Sequence, residues 1–427
     1  MWKGVKDLAK LYYKVIRHFI KIDRHSILFI PHENCKVDNY DVINYASDNA
    51  LCLFNSIIRD SDFSSYKLIV VCCNYQNITL YEKKFSSLIK ARKGGVEFIK
   101  EDKLTVLRAF MKASLCFTDS VFYDFTYAKT SQTVICLGYF TSFKDDNYPL
   151  KSLTDKQYVS EVSRLNSMYD YHITTSDLSS RIISSDTLIR YSKMRPLGFP
   201  RNDIFYENYN KKVLRDEIAK KIGFTFDKII CYTPTFRDYE RKDLKLYNKD
   251  YVIKHNIWGL NGNEGEKSLN ELLKKNNAII IAKLHPWQTR DLIVKEEEEE
   301  RRVFSYYEIM DYRSLYEVLT CSDILITDYT STCFDYMHRD CPIIYYFYDY
   351  QRYTDNRGFS YDPIQMMCGG NICYSFDELL NALMGALVGM DSYSEKRKSI
   401  HTFINKFHDG HSSIRIKNFI KDLLPSI

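Results

Sequence analysis

Ser322 to Tyr346 reads SDILITDYTSTCFDYMHRDCPIIYY, and it sets out an apolar strand, a hydroxyl-rich turn, a short helix and a second strand in that order. Ile324 to Ile326 has the composition of a buried parallel strand, Asp328 to Thr332 crowds donors into a turn, and Phe334 to His338 has the spacing of the first turns of a helix. Exposed N–H groups at such a helix start favour an anion, so a pyrophosphate fits there. Asp335, about one turn in, is placed to accept from a ribose hydroxyl, as acids in doubly wound nucleotide sites do. The same pattern also fits an ordinary α/β crossover whose Thr330 and Ser331 merely cap the helix.

Working outward, apolar strands alternate with helical segments along most of the 427 residues. Strands are expected at Ile27 to Ile30, Lys67 to Cys73, Ala113 to Phe117, Thr133 to Gly138 and Tyr171 to Thr174, with helices at Asp41 to Ile58, Leu104 to Ala113, Asp155 to Ser163 and Asp177 to Ile182. Pro196, Gly198 and Pro200 then punctuate the chain. A second series follows at Lys228 to Tyr232, Ala278 to Leu284, Val303 to Tyr306, Ile324 to Ile326 and Ile343 to Tyr346, and a last helix at Ser412 to Leu424 is placed to cross back. This order predicts an α/β chain of two doubly wound, Rossmann-like domains facing a cleft. The expected divisions are a basic amphipathic helix at 1–25, a first domain at 26–190 and a second at 191–427. Ligands bind such folds beyond the carboxyl ends of the strands.

Composition narrows the class. A formal charge of +5 is too small for this length to argue nucleic-acid binding, and no zinc-finger spacing or aromatic RNA motif occurs. The 12 cysteines include no C-x-x-C pair. Cys72, Cys73, Cys136, Cys231 and Cys341 sit in or beside apolar runs and read as buried thiols of a reducing compartment. Lysines interrupt the first twenty residues, so no signal peptide is expected, and no run is long enough for a transmembrane helix. Trp2, Val5, Leu8, Leu11, Tyr12, Val15, Phe19 and Ile20 recur at helical spacing opposite a lysine-rich face. Residues 1–22 therefore suit either an anionic membrane surface or packing on the first domain. The run Glu296 to Arg302 reads as a solvated segment.

Four loops of the second half offer groups suited to phosphate. Gly198-Phe-Pro-Arg-Asn-Asp203 carries a guanidinium, Thr233-Pro-Thr-Phe-Arg-Asp238 a hydroxyl and an arginine, Lys283-Leu-His-Pro286 an imidazole at a strand tip, and Asp328 to Thr332 hydroxyls. Placed after strands of one sheet they converge on a diphosphate, where the chemistry is positioning and charge stabilisation. No Walker loop, G-x-G-x-x-G or G-x-S-x-G elbow occurs, which excludes the common NTPase, dehydrogenase and hydrolase signatures.

GFPRND, YTPTFRD, KLHP, SDILITDYTSTCFDYMHRDCPIIYY and RGFSYD, in this order, resemble the motif series of CDP-glycerol glycerophosphotransferases, which prime and polymerise teichoic acids and related capsule polymers. HDGHSSIRI near the end resembles that family's closing motif. The resemblance implies a glycosyltransferase-B-like fold, a CDP-glycerol or other CDP-polyol donor as substrate, a polymer or lipid-linked acceptor, and no cofactor or bound metal. It implies donor contacts from Arg201, Thr235, His285, Asp328, Thr330, Ser331, Asp335 and Arg357, with Arg237 steadying a phosphate and His285 in the reacting centre. The expected place is the cytoplasm, on the inner face of the membrane where the N-terminal helix docks.

One departure concerns the base. Family members carry a His-Gly pair at a strand end of the first domain, and the matching segment here is Gln132-Thr-Val-Ile-Cys-Leu-Gly138. Leu137 cannot take a proton. Three explanations compete: a misplaced match, another base such as Asp119 or Asp145, or a member with weak or altered activity. The rival functions are sugar transfer from a nucleotide sugar and a scaffold without turnover.

Overall fold

The computed structural model describes residues 10–31, 36–37, 40–41, 49–119, 124–138, 143–144, 153–235, 237, 256–260, 265–284, 301–310 and 314–424. His285, Asp145 and residues 1–9 lie outside these.

Runs such as LIVVC, AIIIA and ILIT are apolar on both faces and rich in β-branched residues, so they are stable only where helices cover both sides of a parallel sheet. That is what they form. In the first sheet, strands β1 (Asp23–Ile30), β2 (Lys67–Cys72), β3 (Val96–Lys100), β4 (Ala113–Thr118), β5 (Thr133–Cys136), β6 (Tyr171–Thr174) and β7 (Met194–Pro196) lie in the order β3-β2-β1-β4-β5-β6-β7. All of its pairings are parallel. In the second, β8 (Lys228–Thr233), β9 (Ala278–Ala282), β10 (Val303–Ser305), β11 (Ile324–Thr327), β12 (Ile343–Tyr346) and β13 (Asn371–Cys373) lie in the order β10-β9-β8-β11-β12-β13, again parallel. Both sheets reverse strand order beside their first strand, which is the doubly wound arrangement with its switch point. The sequence expectation of two Rossmann-like domains holds.

The line between the domains falls later than residue 190, because Met194–Pro196 pairs with β6 and closes the first sheet. The helix Ser412–Lys421 belongs spatially to the first domain. Its Ile416 and Ile420 are buried in that domain's core, each burial contributing about 1.5–3 kcal/mol. Lys417 pairs with Asp60 at its flank. Upstream of this helix, Asp203 accepts the N–H groups of Ser412 at 2.8 Å and Ser413 at 2.9 Å. Gly198 packs against the same turn at φ 88°, and a Cβ there would stand 2.5 Å from the Ser412 hydroxyl. The chain thus crosses between domains at Pro200–Tyr206 and returns near Ser412, and the two crossings are tied together. A further link is Phe143, a first-domain residue whose ring meets Phe334 at 5.2 Å in the second core.

Residues 10–16 are helical, and Tyr13 and Ile20 pack on the first core. Arg17 donates to the carbonyls of Tyr127 and Lys129. Leu11, Tyr12, Val15 and Phe19 remain exposed, Phe19 at 82%. Among the described residues no helix is long and apolar enough to cross a membrane, and no metal-binding cluster occurs. Ten described cysteines are free thiols, whereas Cys73 departs from the expectation and is disulfide-bonded.

Candidate active site

The switch point of the second sheet lies between β8 and β11, where Thr233 pairs with Thr327. The loops leaving these two strands are TPTFRD and the turn Asp328–Ser331, so the motifs are adjacent because of the strand order alone. Asp328 holds them together: one oxygen accepts the Thr235 N–H at 2.7 Å and the Tyr329 N–H at 2.5 Å. The other accepts from Arg237 at 2.7 Å.

Arg237 is 1% exposed. Beside the Asp328 contact, its guanidinium donates in a fork to Asp349 at 2.7 and 3.0 Å, and the Tyr329, Tyr348 and Tyr353 rings lie 5.0–5.4 Å away. It braces three strand ends. Asp328, at 2% exposure, is likewise part of the brace. Burying the guanidinium is tolerable because it is hydrogen-bonded to two acidic side chains, and removing one member would strand the others.

Thr330, Ser331 and Thr332 are half-buried, and the Thr330 and Thr332 hydroxyls lie 3.2 Å apart. Ser331 makes no side-chain cap bond to the short helix Thr332–Tyr336, so its hydroxyl is not used for capping. Thr235 adds a buried hydroxyl with no hydrogen-bond partner. A ligand oxygen would remove the cost of leaving it unpaired, about 1–3 kcal/mol.

Asp335 is engaged within the protein. It is buried and accepts from Arg201 at 2.9 Å, Asn202 at 2.9 Å and Tyr316 at 2.6 Å. Tyr316 is set in place by the Ser314–Glu317 capping box of helix Leu315–Cys321. The Arg201 N–H donates to Asn49, whose amide in turn donates to the Gly138 carbonyl at 2.8 Å. Arg201 and Asp335 therefore fasten the second domain to the segment of the first that carries Leu137. Sequence reading assigned both to the donor, and the structure places both in this fastening.

On the first domain, Leu137 is fully buried in the apolar core. Asp119 is also fully buried and accepts the Ala50 N–H at 2.7 Å, anchoring helix Asn49–Ile57. In this arrangement Asp119 serves as a helix anchor. Arg357 is half-buried at the end of helix Tyr350–Asn356, before Gly358 at φ 79°.

The sequence profile of "CDP-Glycerol:Poly(glycerophosphate) glycerophosphotransferase" matches residues 16–422. The chain belongs to the CDP-glycerol glycerophosphotransferase family. Relatives in this family include the teichoic acid glycerol-phosphate primase of Bacillus subtilis (strain 168), 27% identical over 281 residues that make up 65% of each chain. The teichoic acid poly(glycerol phosphate) polymerase of Bacillus spizizenii is 31% identical over 220 residues, 51% of each. The chain thus spans less than two thirds of the length of either relative. In structure it resembles the wall teichoic acid polymerase TagF, with a TM-score of 0.74 at 21% identity, covering 99% of this chain and 96% of that one. This likeness establishes the glycosyltransferase-B-like fold.

Among glycerophosphotransferase-family motifs in this chain, the structure separates half-buried hydroxyls at the turn from buried charges that brace. Sequence reading missed Asn49, Asn202, Tyr316 and Asp349, which complete the braces. Asp349 lies just past β12, as Asp328 lies just past β11, and that shared position was a readable signal. Asn49 carried none.

Proposed function

We propose that the protein transfers a polyol phosphate, glycerol phosphate from CDP-glycerol, to a hydroxyl of a cell-envelope polymer or lipid-linked acceptor in teichoic acid biosynthesis. The acceptor oxygen attacks the phosphorus bearing glycerol, the bond to the CMP oxygen breaks, and the acceptor proton leaves to a base. The observation that carries this reading is the turn Asp328–Ser331 at the switch point, with Thr330 and Ser331 half-buried and a Thr235 hydroxyl that has no hydrogen-bond partner among the described residues, in a chain matching the family from residue 16 to 422. Hydroxyl and backbone donors there suit the charge that develops on a departing phosphate. His285 and Arg357 complete the proposed donor set. Incubation with CDP-glycerol or CDP-ribitol and a teichoic acid primer tests it: release of CMP supports the reading, and release of a nucleoside diphosphate from a UDP-sugar replaces it with glycosyl transfer.

A second reading is favoured by one observation. Leu137 is buried where relatives of this motif pattern carry a base, which suits a member that binds donor without turning it over. Donor binding with no CMP release on any acceptor distinguishes it.

The exposed row Leu11, Tyr12, Val15 and Phe19, flanked by Lys10, Lys14 and Lys21, supports docking on an anionic membrane at the cytoplasmic face. Its inner side packs on the first domain, which leaves the exposed row free for that docking.

A further inference from the structure

Lys283 ends the run that begins with β9, and its N–H donates to the Tyr232 carbonyl of β8 at 2.8 Å. Its side chain lies on the same face of the sheet as Cys231, the neighbouring group that acts on it electrostatically. The ammonium is held by the Tyr307 hydroxyl and the Leu284 carbonyl, and the Tyr306 and Tyr307 rings lie 5.4 and 4.6 Å from it. These groups orient a cation without neutralising it. Among the described residues, no carboxylate pairs with it, unlike Arg201, Arg237 and Arg397, each of which is matched by acidic side chains. A desolvated charge with no counter-charge is costly unless a ligand supplies one.

Position says which ligand. Adjacent strands stand about 4.8 Å apart, so Lys283, one strand from Thr233 and two from the Asp328–Ser331 turn, lies about 10 Å from that turn along the sheet edge. The ammonium is held against Tyr306 and Tyr307, which follow β10 on the side of β9 away from the turn, so a rotation of the side chain back across β8 is what brings it to a diphosphate seated there. We infer that Lys283 is a donor-binding residue whose ammonium supplies the counter-charge for the diphosphate of a nucleoside-diphosphate donor seated at the switch point. This rests on the proposed donor site and adds to it the residue that makes binding depend on a second phosphate and on pH. Burial lowers the Lys283 ammonium to about 8, so the free protein loses this charge just above neutral pH. Tyr306, Tyr307 and Cys231 are the titratable groups against it, and burial raises Tyr306 and Cys231, so neither ionises in that range.

Calorimetric titration of wild type, Lys283→Met and Lys283→Arg with CDP-glycerol, a UDP-sugar and inorganic pyrophosphate, from pH 6.5 to 9.5, tests this. The expected result is that Lys283→Met weakens diphosphate binding by about 10²-fold at pH 7, as loss of a charge-assisted contact does. Wild-type affinity falls above pH 8, that limb is absent in Lys283→Met, and Lys283→Arg binds within about fivefold and holds its affinity to pH 9.5. Urea unfolding without ligand should show Lys283→Met at least as stable as wild type, which a purely structural lysine would not allow. Equal binding by wild type and Lys283→Met, or a pH limb that persists in Lys283→Met, overturns the inference. Lys283-dependent binding of pyrophosphate or the UDP-sugar, without CDP-glycerol, keeps the inference and overturns the CDP-polyol reading. No binding of any of the three overturns both.

Discussion

Arg201 donates to Asp335 at 2.9 Å across 134 residues of sequence, with both side chains almost wholly buried. The pair joins the crossing segment Pro200–Tyr206 to the helix that follows the switch-point turn. Because Arg201 also donates its N–H to Asn49, the relative position of the two domains depends on this contact.

Removing one member leaves the other charge buried. Asp335→Asn is expected to lower unfolding free energy by about 3–5 kcal/mol, read by urea denaturation. Arg201→Met with Asp335→Leu should cost less than the sum of the singles, because neither stranded charge remains. Additive losses would show that the two do not act as a pair.

Thr235 should behave in the opposite way. Its hydroxyl has no partner, so Thr235→Val is expected to leave stability unchanged or raise it, while donor affinity falls by about tenfold. Undiminished affinity in this variant would place the donor away from the turn.

Asp119→Asn keeps an oxygen to accept the Ala50 N–H, so the helix anchor survives. Turnover is expected to stay within a few-fold of wild type, measured as CMP release. A loss of 10²-fold with donor affinity kept would instead identify Asp119 as the base.

Acid should loosen the crossing between the domains. His338 accepts or donates to Tyr206 at 2.8 Å and His401 at 3.0 Å, Asn202 approaches its other nitrogen at 3.4 Å, and the His401 and His408 rings stack at 4.0 Å. Burial, with the neighbouring imidazoles, lowers His338 to about 3 and His401 to about 2; Asp409 opposes the shift at His338. These groups are neutral when folded and take protons on unfolding. Their contribution is complete above pH 6.5 and is lost as pH falls toward 3, at up to about 1.4 kcal/mol per pH unit for each proton. Urea midpoints between pH 7 and 4.5 should show this slope, and His401→Gln should reduce it by about one proton.

The strands that position the site were legible because each is an apolar run bounded by turn residues. Those that were not, Met194–Pro196 and Asn371–Cys373, are three residues long and too short to carry a period. Val96–Lys100 was missed because it is an edge strand, with Glu97 and Lys100 exposed. Pro196 was read as a domain break, yet it ends the outermost strand, where a missing N–H does no harm. At the candidate site, the loops that the motifs marked after β8 and β11 lie side by side because their strands pair. Whether a given arginine or aspartate faces the cleft or braces the loop is set by partners more than 90 residues away, such as Asp328 for Arg237 and Asp335 for Arg201, and no local pattern records that.

The central claim is that the Asp328–Ser331 turn seats the diphosphate of a CDP-polyol. The measurement that tests it most directly is thermal and chemical unfolding of wild type and Thr330→Ala/Ser331→Ala with CDP-glycerol, CDP-ribitol, a UDP-sugar and CMP. The account predicts that a CDP-polyol at about a hundred times its dissociation constant adds about 2.7 kcal/mol to wild-type stability and little to the double variant. Equal stabilisation of both proteins, or a response confined to the UDP-sugar, would contradict it.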